Sequence, residues 1–174
     1  NPRGLLIAHD KALSKKILSY HRIRVPKFAV YPRGRKPRLP NKRHYPLIVK
    51  SLYEEGSYGI SQASIVHSAG KCLERVAYLH EKLRTPVIVE EFVDGREIYL
   101  SIIGNQRVEV LPLVELAFGN LPDGNYRIAT SKVKWDWKYR QKRQIELKIP
   151  TDLDEAALRK LKRLNLSQSR ITDS

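Results

Sequence analysis

A chain of 174 residues, 41% hydrophobic and 29% charged, reads as globular and soluble, long enough to bury a core in one domain or in two lobes. It has no apolar run of bilayer length and no signal-like segment, so a membrane partner is not expected. The single cysteine, Cys72, excludes an internal disulfide and fits a reducing, cytoplasmic setting. Lys and Arg number 33 against 18 Asp and Glu, a net charge of +15. Such an excess points to a polyanionic partner (nucleic acid, an anionic membrane or a nucleotide) or to balancing acids outside this stretch. The chain holds no methionine, even at its start, which suggests either that it has been trimmed or that it is part of a longer protein.

Taken in order, HDKALSKKILSYHRI has helical periodicity, with Leu13, Ile17 and Tyr20 on one stripe and Asp10 as N-cap. Pro26 marks its exit, and KFAVY follows as a short strand. PRGRKPRLPNKRH, basic and broken by three prolines, reads as irregular. YPLIVKSL reads as a buried strand running into a loop, EEGSYG. AGKCLERVAYLHEKL is a second helix whose stripe is Cys72, Val76, Leu79 and Leu83. That stripe makes Cys72 a core residue, and His80 beside it a satisfied boundary histidine. Three extended runs follow. They are PVIVEEF, then REIYLSIIGN with Ile98, Leu100 and Ile102 on one face, then RVEVLPLVEL returning as its hairpin partner. NYRIATSKVKW reads as a further strand or an ordered loop. TDLDEAALRKLKRL reads as a helix opened by an Asp152–Glu155 capping box. Helix, strands, helix and then an antiparallel meander argue for an α+β fold.

Three segments carry chemistry. Lys50 ends a strand just before a loop with Gly56, Ser57 and Gly59. Glycines let backbone N–H groups approach an anion, and a lysine supplies a mobile charge, although a surface turn uses the same residues. The P-loop pattern is excluded, because there the lysine follows the glycines. In VIVEEFVDGREIYL, Glu90 and Glu97 flank an Asp94–Gly95 turn, set either in a cleft or on a charged hairpin rim. In KVKWDWKYRQK, lysines interleave with Trp135, Trp137 and Tyr139. That pattern suits stacking on single-stranded nucleic acid, or a lysine packed against a transferring phosphoryl group. The five histidines show no metal-ligand spacing.

The ordered set HDKALSKK, LIVKSLYEEGSYGIS, VIVEEFVDGREIYL, VLPLVEL and WKY resembles the ATP-grasp domain of the D-alanine–D-alanine ligase family, over residues 1 to about 150. The resemblance implies two α+β lobes clasping ATP, a mobile small lobe over 1–85 and a larger lobe over 86–174. It implies a ligase that joins a small carboxylate and an amine through an acylphosphate, with ATP and magnesium as cofactors and a homodimer as a candidate assembly.

By the same resemblance, Lys11 and Lys50 contact phosphates, and Glu54, Gly56, Ser57 and Gly59 belong to the loop over the β- and γ-phosphates. Glu90 meets the adenine edge, Phe92 and Val93 form the adenine hinge, Glu97 holds the ribose, and Lys138 stabilises the γ-phosphate as the catalytic lysine. The family loop commonly has a serine pair; here Ser57 is followed by Tyr58. The family's metal ligands lie in Arg-x-Asp and Glu-x-Asn strands. SRITDS, with Arg170 and Asp173, has another spacing, so the metal ligands are expected outside this chain, and residues 1–174 alone are expected to bind nucleotide without turnover. The alternatives are a nucleotide-binding module without ligase activity and, last, a basic nucleic-acid-binding domain.

Overall fold

The computed structural model describes residues 2–39, 44–104, 107, 109–156, 158 and 159. The described chain forms two compact units. The first comprises Asn1–Asp94 with Pro122–Tyr139, the second Gly95–Leu121 with Arg140–Ser174. All described strand pairings are antiparallel, as an α+β chain requires.

The first unit begins with helices α1 (Pro2–His9) and α2 (Lys11–Tyr20). Its sheet contains β1 (Phe28–Tyr31), β2 (Leu47–Ser51), β3 (Ile65–Val66) and β4 (Val87–Glu91), in the order β1-β4-β2-β3. A single 3-10 turn (Gln62–Ser64) leads into β3, and α3 (Ala69–Lys82) joins β3 to β4. Strands alternate their side chains between faces. On one face Leu47, Val49, Val87, Val89 and Tyr31 pack against Cys72, Val76 and Leu79 of α3. The α3 stripe read from the sequence is therefore the core, with Cys72 fully buried. His80 lies at its boundary, its Nε2 2.9 Å from the Tyr31 carbonyl oxygen.

The other sheet face carries Ile88, and α2 lies over it through Ala12, packed with Ile88 and Leu52. This corrects the expected stripe: Leu13 is 42% and Tyr20 83% exposed. A short alanine lets the helix approach the sheet closely and turns its flanking lysines inward. Asp10 caps α2 as expected, accepting hydrogen bonds from the N–H groups of Ala12 and Leu13.

NYRIATSKVKW is not a strand. It ends in helix α4 (Ser131–Trp135), capped by the Thr130 hydroxyl, which accepts from Val133 N–H. Before the helix, the N–H groups of Ile128 and Thr130 donate to the carbonyls of Tyr126 and Ile128, at 3.0 and 2.9 Å, and these local bonds replace the ladder a strand would make. Helix α5 (Trp137–Arg143) follows.

The second unit has a three-stranded sheet, β5-β8-β9, built from β5 (Glu97–Tyr99), β8 (Val114–Phe118) and β9 (Ile145–Lys148). A two-stranded ladder joins β6 (Ile102–Ile103) to β7 (Glu109–Val110). The long hairpin expected here is split in two. Pro112 lacks an N–H to continue the ladder, so β6 and β5 take separate partners, β7 and β8. Strand β9 was not anticipated from the sequence. Its Ile145 is buried opposite Phe118.

Asp152 does not act as the helix cap expected of it. Its carboxylate accepts from Arg96, which also forms a two-bond contact with the buried Glu115, at 2.9 and 2.6 Å. Those hydrogen bonds from Arg96 hold the Glu115 and Asp152 carboxyls below their ordinary values of 4.5 and 3.8. A depressed carboxyl pKa stabilises the fold above the ordinary value, and that contribution is lost as pH falls through the folded one. Arg96→Met should therefore flatten the fall in the urea midpoint between neutral pH and about pH 3. An acid slope equal to that of the unaltered chain would refute this. The helix expected after Asp152 lies largely outside the described residues, as do Arg170 and Asp173.

Candidate functional site

The site is built on the α2-bearing face of the first unit's sheet. Cα register pairs Lys50 with Ile88 and Ile48 with Glu90, which puts Lys50 and Glu90 diagonally across the β2–β4 ladder on one face. Lys11 and Lys15, one helical turn apart, come down from α2. Glu90 is 3% exposed. Its Oε2 lies 2.9 Å from the Lys50 ammonium, and its Oε1 lies 3.5 Å from that of Lys15. Oε1 makes no hydrogen bond, so a buried carboxylate oxygen is left with acceptor capacity.

Burial lowers the pKa of Lys11 and of Lys15; for Lys11 the next cause is the nearby charge of Lys50. Three ammonium groups gather around the buried Glu90 carboxylate, and the nearby charges of Glu55 and Glu54 also act on Lys11. The Lys11 ammonium also donates to the carbonyl oxygens of Leu52 (3.2 Å) and Glu54 (2.7 Å), tying α2 to the root of the glycine-bearing loop. Lys15 was missed by sequence reasoning. Its four-residue spacing from Lys11 was the available signal, hidden because Leu13, Ile17 and Tyr20 were read as the buried stripe.

The loop backbone is left-handed at Gly56, Ser57 and Gly59, with φ of 62°, 63° and 75°. Glycine suits the left-handed backbone at Gly59, and a side chain there would also push Leu83 Cδ1, 2.8 Å from the added Cβ, aside. Among the described residues, no hydrogen bond uses the amide N–H of Gly56, Ser57 or Gly59. Their donors are available to an anion, and successive free N–H groups form an anion-binding concavity.

Few anchors for this loop were legible in the sequence; the structure supplies several. Segment 122–139 acts as a strap. Ser131 Oγ donates to the Ser57 carbonyl (2.6 Å), Ser131 N–H to that of Ile60 (3.3 Å), and Trp135 Nε1 to that of Gly56 (2.9 Å). Tyr126 exchanges two hydrogen bonds with the Gln62 side chain, and its hydroxyl lies 2.8 Å from His67 Nε2.

Other expected residues fall as follows. Glu54 is exposed, and its backbone rather than its carboxylate is engaged. Phe92 is half-buried, edge-on to Tyr126 at 5.0 Å, and Val93 is exposed. Lys138 is exposed on α5, and no ion pair among the described residues involves it. Glu97 belongs to the second unit, where it accepts a short hydrogen bond from the Tyr99 hydroxyl; burial first, and then this bond, raises the Tyr99 pKa. Lys11, Lys15, Lys50 and Glu90 thus form one cluster, and the glycine loop is tied to it through Lys11.

The model of the family described as D-ala D-ala ligase C-terminus matches residues 16–173. This chain belongs to that family. A D-alanine–D-alanine ligase of Halothermothrix orenii is 31% identical over 176 residues, which cover 94% of this chain and 46% of the relative. An uncharacterized protein of Sinorhizobium fredii, y4sG, is 33% identical over 119 residues, 68% of this chain and 34% of its own length. Among solved structures, a D-alanine–D-alanine ligase of Bacillus anthracis superposes with a TM-score of 0.69 at 20% identity, covering 95% of this chain and 49% of that one. The VanG D-Ala:D-Ser ligase of Enterococcus faecalis gives 0.69 at 19% identity, covering 96% and 46%. The fold is therefore the ATP-grasp fold of these ligases. The chain spans between a third and a half of the length of these relatives. No described helix is long and apolar enough to cross a membrane.

Proposed function

We propose that this chain is the nucleotide-clasping part of an ATP-dependent carboxylate–amine ligase. The observation that carries the reading is the Lys11–Lys15–Lys50–Glu90 cluster, joined through Lys11 to a loop with three unused amide donors. The ammonium groups of Lys11 and Lys50 and the amides of Gly56, Ser57 and Gly59 suit a polyphosphate. Glu90 Oε1, which faces the Lys15 ammonium at 3.5 Å without a hydrogen bond, suits the exocyclic amine of adenine, with the backbone of Phe92 and Val93 as hinge. Glu97 would accept from ribose hydroxyls, and Lys138 would offset charge on the transferring γ-phosphoryl group. In the chemistry proposed, a substrate carboxylate oxygen bonds to the γ-phosphorus as the bridge to the β-phosphate breaks and ADP departs. An amine nitrogen then bonds to the carboxyl carbon, loses a proton and displaces phosphate. The names of the relatives suggest small amino acids, D-alanine among them, as substrates. A cytoplasmic homodimer remains the working assembly, and residues 1–85 the proposed mobile lobe.

Magnesium, held by substrate phosphates and one or two carboxylates, would take those carboxylates from outside the described residues. No group of three or more metal-capable side chains occurs among them, and Asp152 is engaged by Arg96.

The test is calorimetric titration of ATP and of adenosine, with phosphate release measured over a panel of amino acids. ATP should bind and raise the melting temperature. Lys50→Ala should weaken ATP by about 1.5–3 kcal/mol, the worth of a charge-assisted contact, and adenosine far less. Neither heat nor thermal shift at millimolar ATP would overturn the reading.

A further inference from the structure

The exit of the glycine loop is held from beneath by a residue that neither the sequence motifs nor the proposed phosphate contacts include. Arg75, on the second turn of α3, sends one guanidinium nitrogen to two acceptors: the Gly59 carbonyl oxygen at 2.6 Å and Ser64 Oγ at 3.0 Å. Ser64 is fully buried and itself accepts from Ser61 N–H, so this contact spans the whole passage from the loop to β3. The guanidinium carbon lies 4.8 Å from the centroid of the Tyr78 ring, which limits its swing. Its Nε is buried without a hydrogen-bond partner, and no ion pair among the described residues compensates its charge. Burial accordingly lowers its pKa.

Placing half a guanidinium out of water without a carboxylate is costly. A hydrogen bond to one loop carbonyl is a small return for it, unless the position of that loop and the charge beneath it matter. Loop and charge together answer a polyanion. Gly59 has no side chain to hold it, and its left-handed backbone admits several geometries. The bond to its carbonyl selects one of them. The strap grips the entry of the loop at Gly56 and Ser57 through Trp135 and Ser131, and reaches the exit only through the longer Ser131 N–H contact to the Ile60 carbonyl at 3.3 Å.

We propose that Arg75 is a positioning residue that fixes the exit of the glycine-rich loop, so that the loop amides and the Arg75 charge together favour a bound polyphosphate. This rests on the nucleotide reading above. The chain, Arg75→Ala and Arg75→Lys are compared by titration with ATP and with adenosine, and by hydrogen exchange at amides 56–60 without ligand. Arg75→Ala should weaken ATP about tenfold or more, as loss of a charge-assisted contact does, and adenosine less than about twofold. Amides 56–60 should exchange faster while those of α3 do not. Arg75→Lys, which keeps the charge and one donor, should restore more than half of the loss in ATP affinity. Equal weakening of ATP and adenosine would show a merely structural role and overturn the proposal, as would unchanged ATP affinity. If Arg75→Ala does not fold, the exchange of Arg75→Met, which keeps the apolar stem and removes every donor, decides: acceleration confined to 56–60 supports the proposal, and none, or acceleration spread through α3, overturns it. Failure of the unaltered chain to bind ATP would instead sink the nucleotide reading, and the exchange arm would still decide whether Arg75 fixes the loop.

Discussion

Glu90→Ala should lower the unfolding free energy by about 3–5 kcal/mol, the cost of removing one partner from a buried ion pair and leaving the other uncompensated. Here the stranded charges are the ammonium groups of Lys50 and Lys15, 20% and 17% exposed, with Lys11 close enough to feel Lys50. The effect should depend on pH. The pKa values of Lys11 and Lys15 already lie below the ordinary 10.5, so holding them charged costs stability below their folded pKa, and that cost vanishes as pH rises past the ordinary value. The deficit of Glu90→Ala should therefore be largest at neutral pH and shrink toward pH 10.5. Urea unfolding at neutral and alkaline pH measures both. A deficit below about 1 kcal/mol at neutral pH would show that the lysines find water instead of remaining buried beside Glu90.

Leu79→Ala should cost about 2–5 kcal/mol, because a leucine that is 1% exposed leaves a cavity that the sheet cannot collapse to fill. Leu79 also belongs to the floor of the glycine loop. Its Cδ2 lies 3.4 Å from where a Cβ on Gly59 would stand, beside Leu83 Cδ1. The same substitution should therefore speed hydrogen exchange at Gly59 and Ile60, beyond what the global loss of stability explains. Unfolding midpoints and site-resolved exchange provide the readouts. A full loss of stability with loop exchange unchanged would mean that the loop is held by its polar ties alone.

The residues that make chemistry readable here are local in sequence. A strand-end lysine before Gly56 and Gly59, and Glu90 and Glu97 around an Asp–Gly turn, are legible because each lies within a dozen residues and carries its own backbone requirement. The α3 core stripe was legible for the same reason: a helix shows its buried face in the spacing of Cys72, Val76 and Leu79. For α2 the rule pointed to the wrong face. Leu13 and Tyr20 outrank Ala12 in hydrophobicity, yet contact with Ile88 and Leu52 chose the alanine, because closeness to a flat sheet favours the small side chain. That choice brought Lys15 to Glu90, a pairing across 75 positions that no local pattern announces.

Amino-acid order by itself determined the α+β class, the antiparallel character of the sheets, the buried Cys72 and the family. Tertiary structure alone decided the strap and the break in the second unit's hairpin. Ser131 and Trp135 meet the loop 74 and 79 positions away through backbone carbonyls, which every residue possesses and which therefore leave no trace in side-chain pattern. Likewise, whether Arg75 lies on a solvated helix face or beneath Gly59 depends on where the loop folds back, and a charged residue on a helix looks the same in sequence either way.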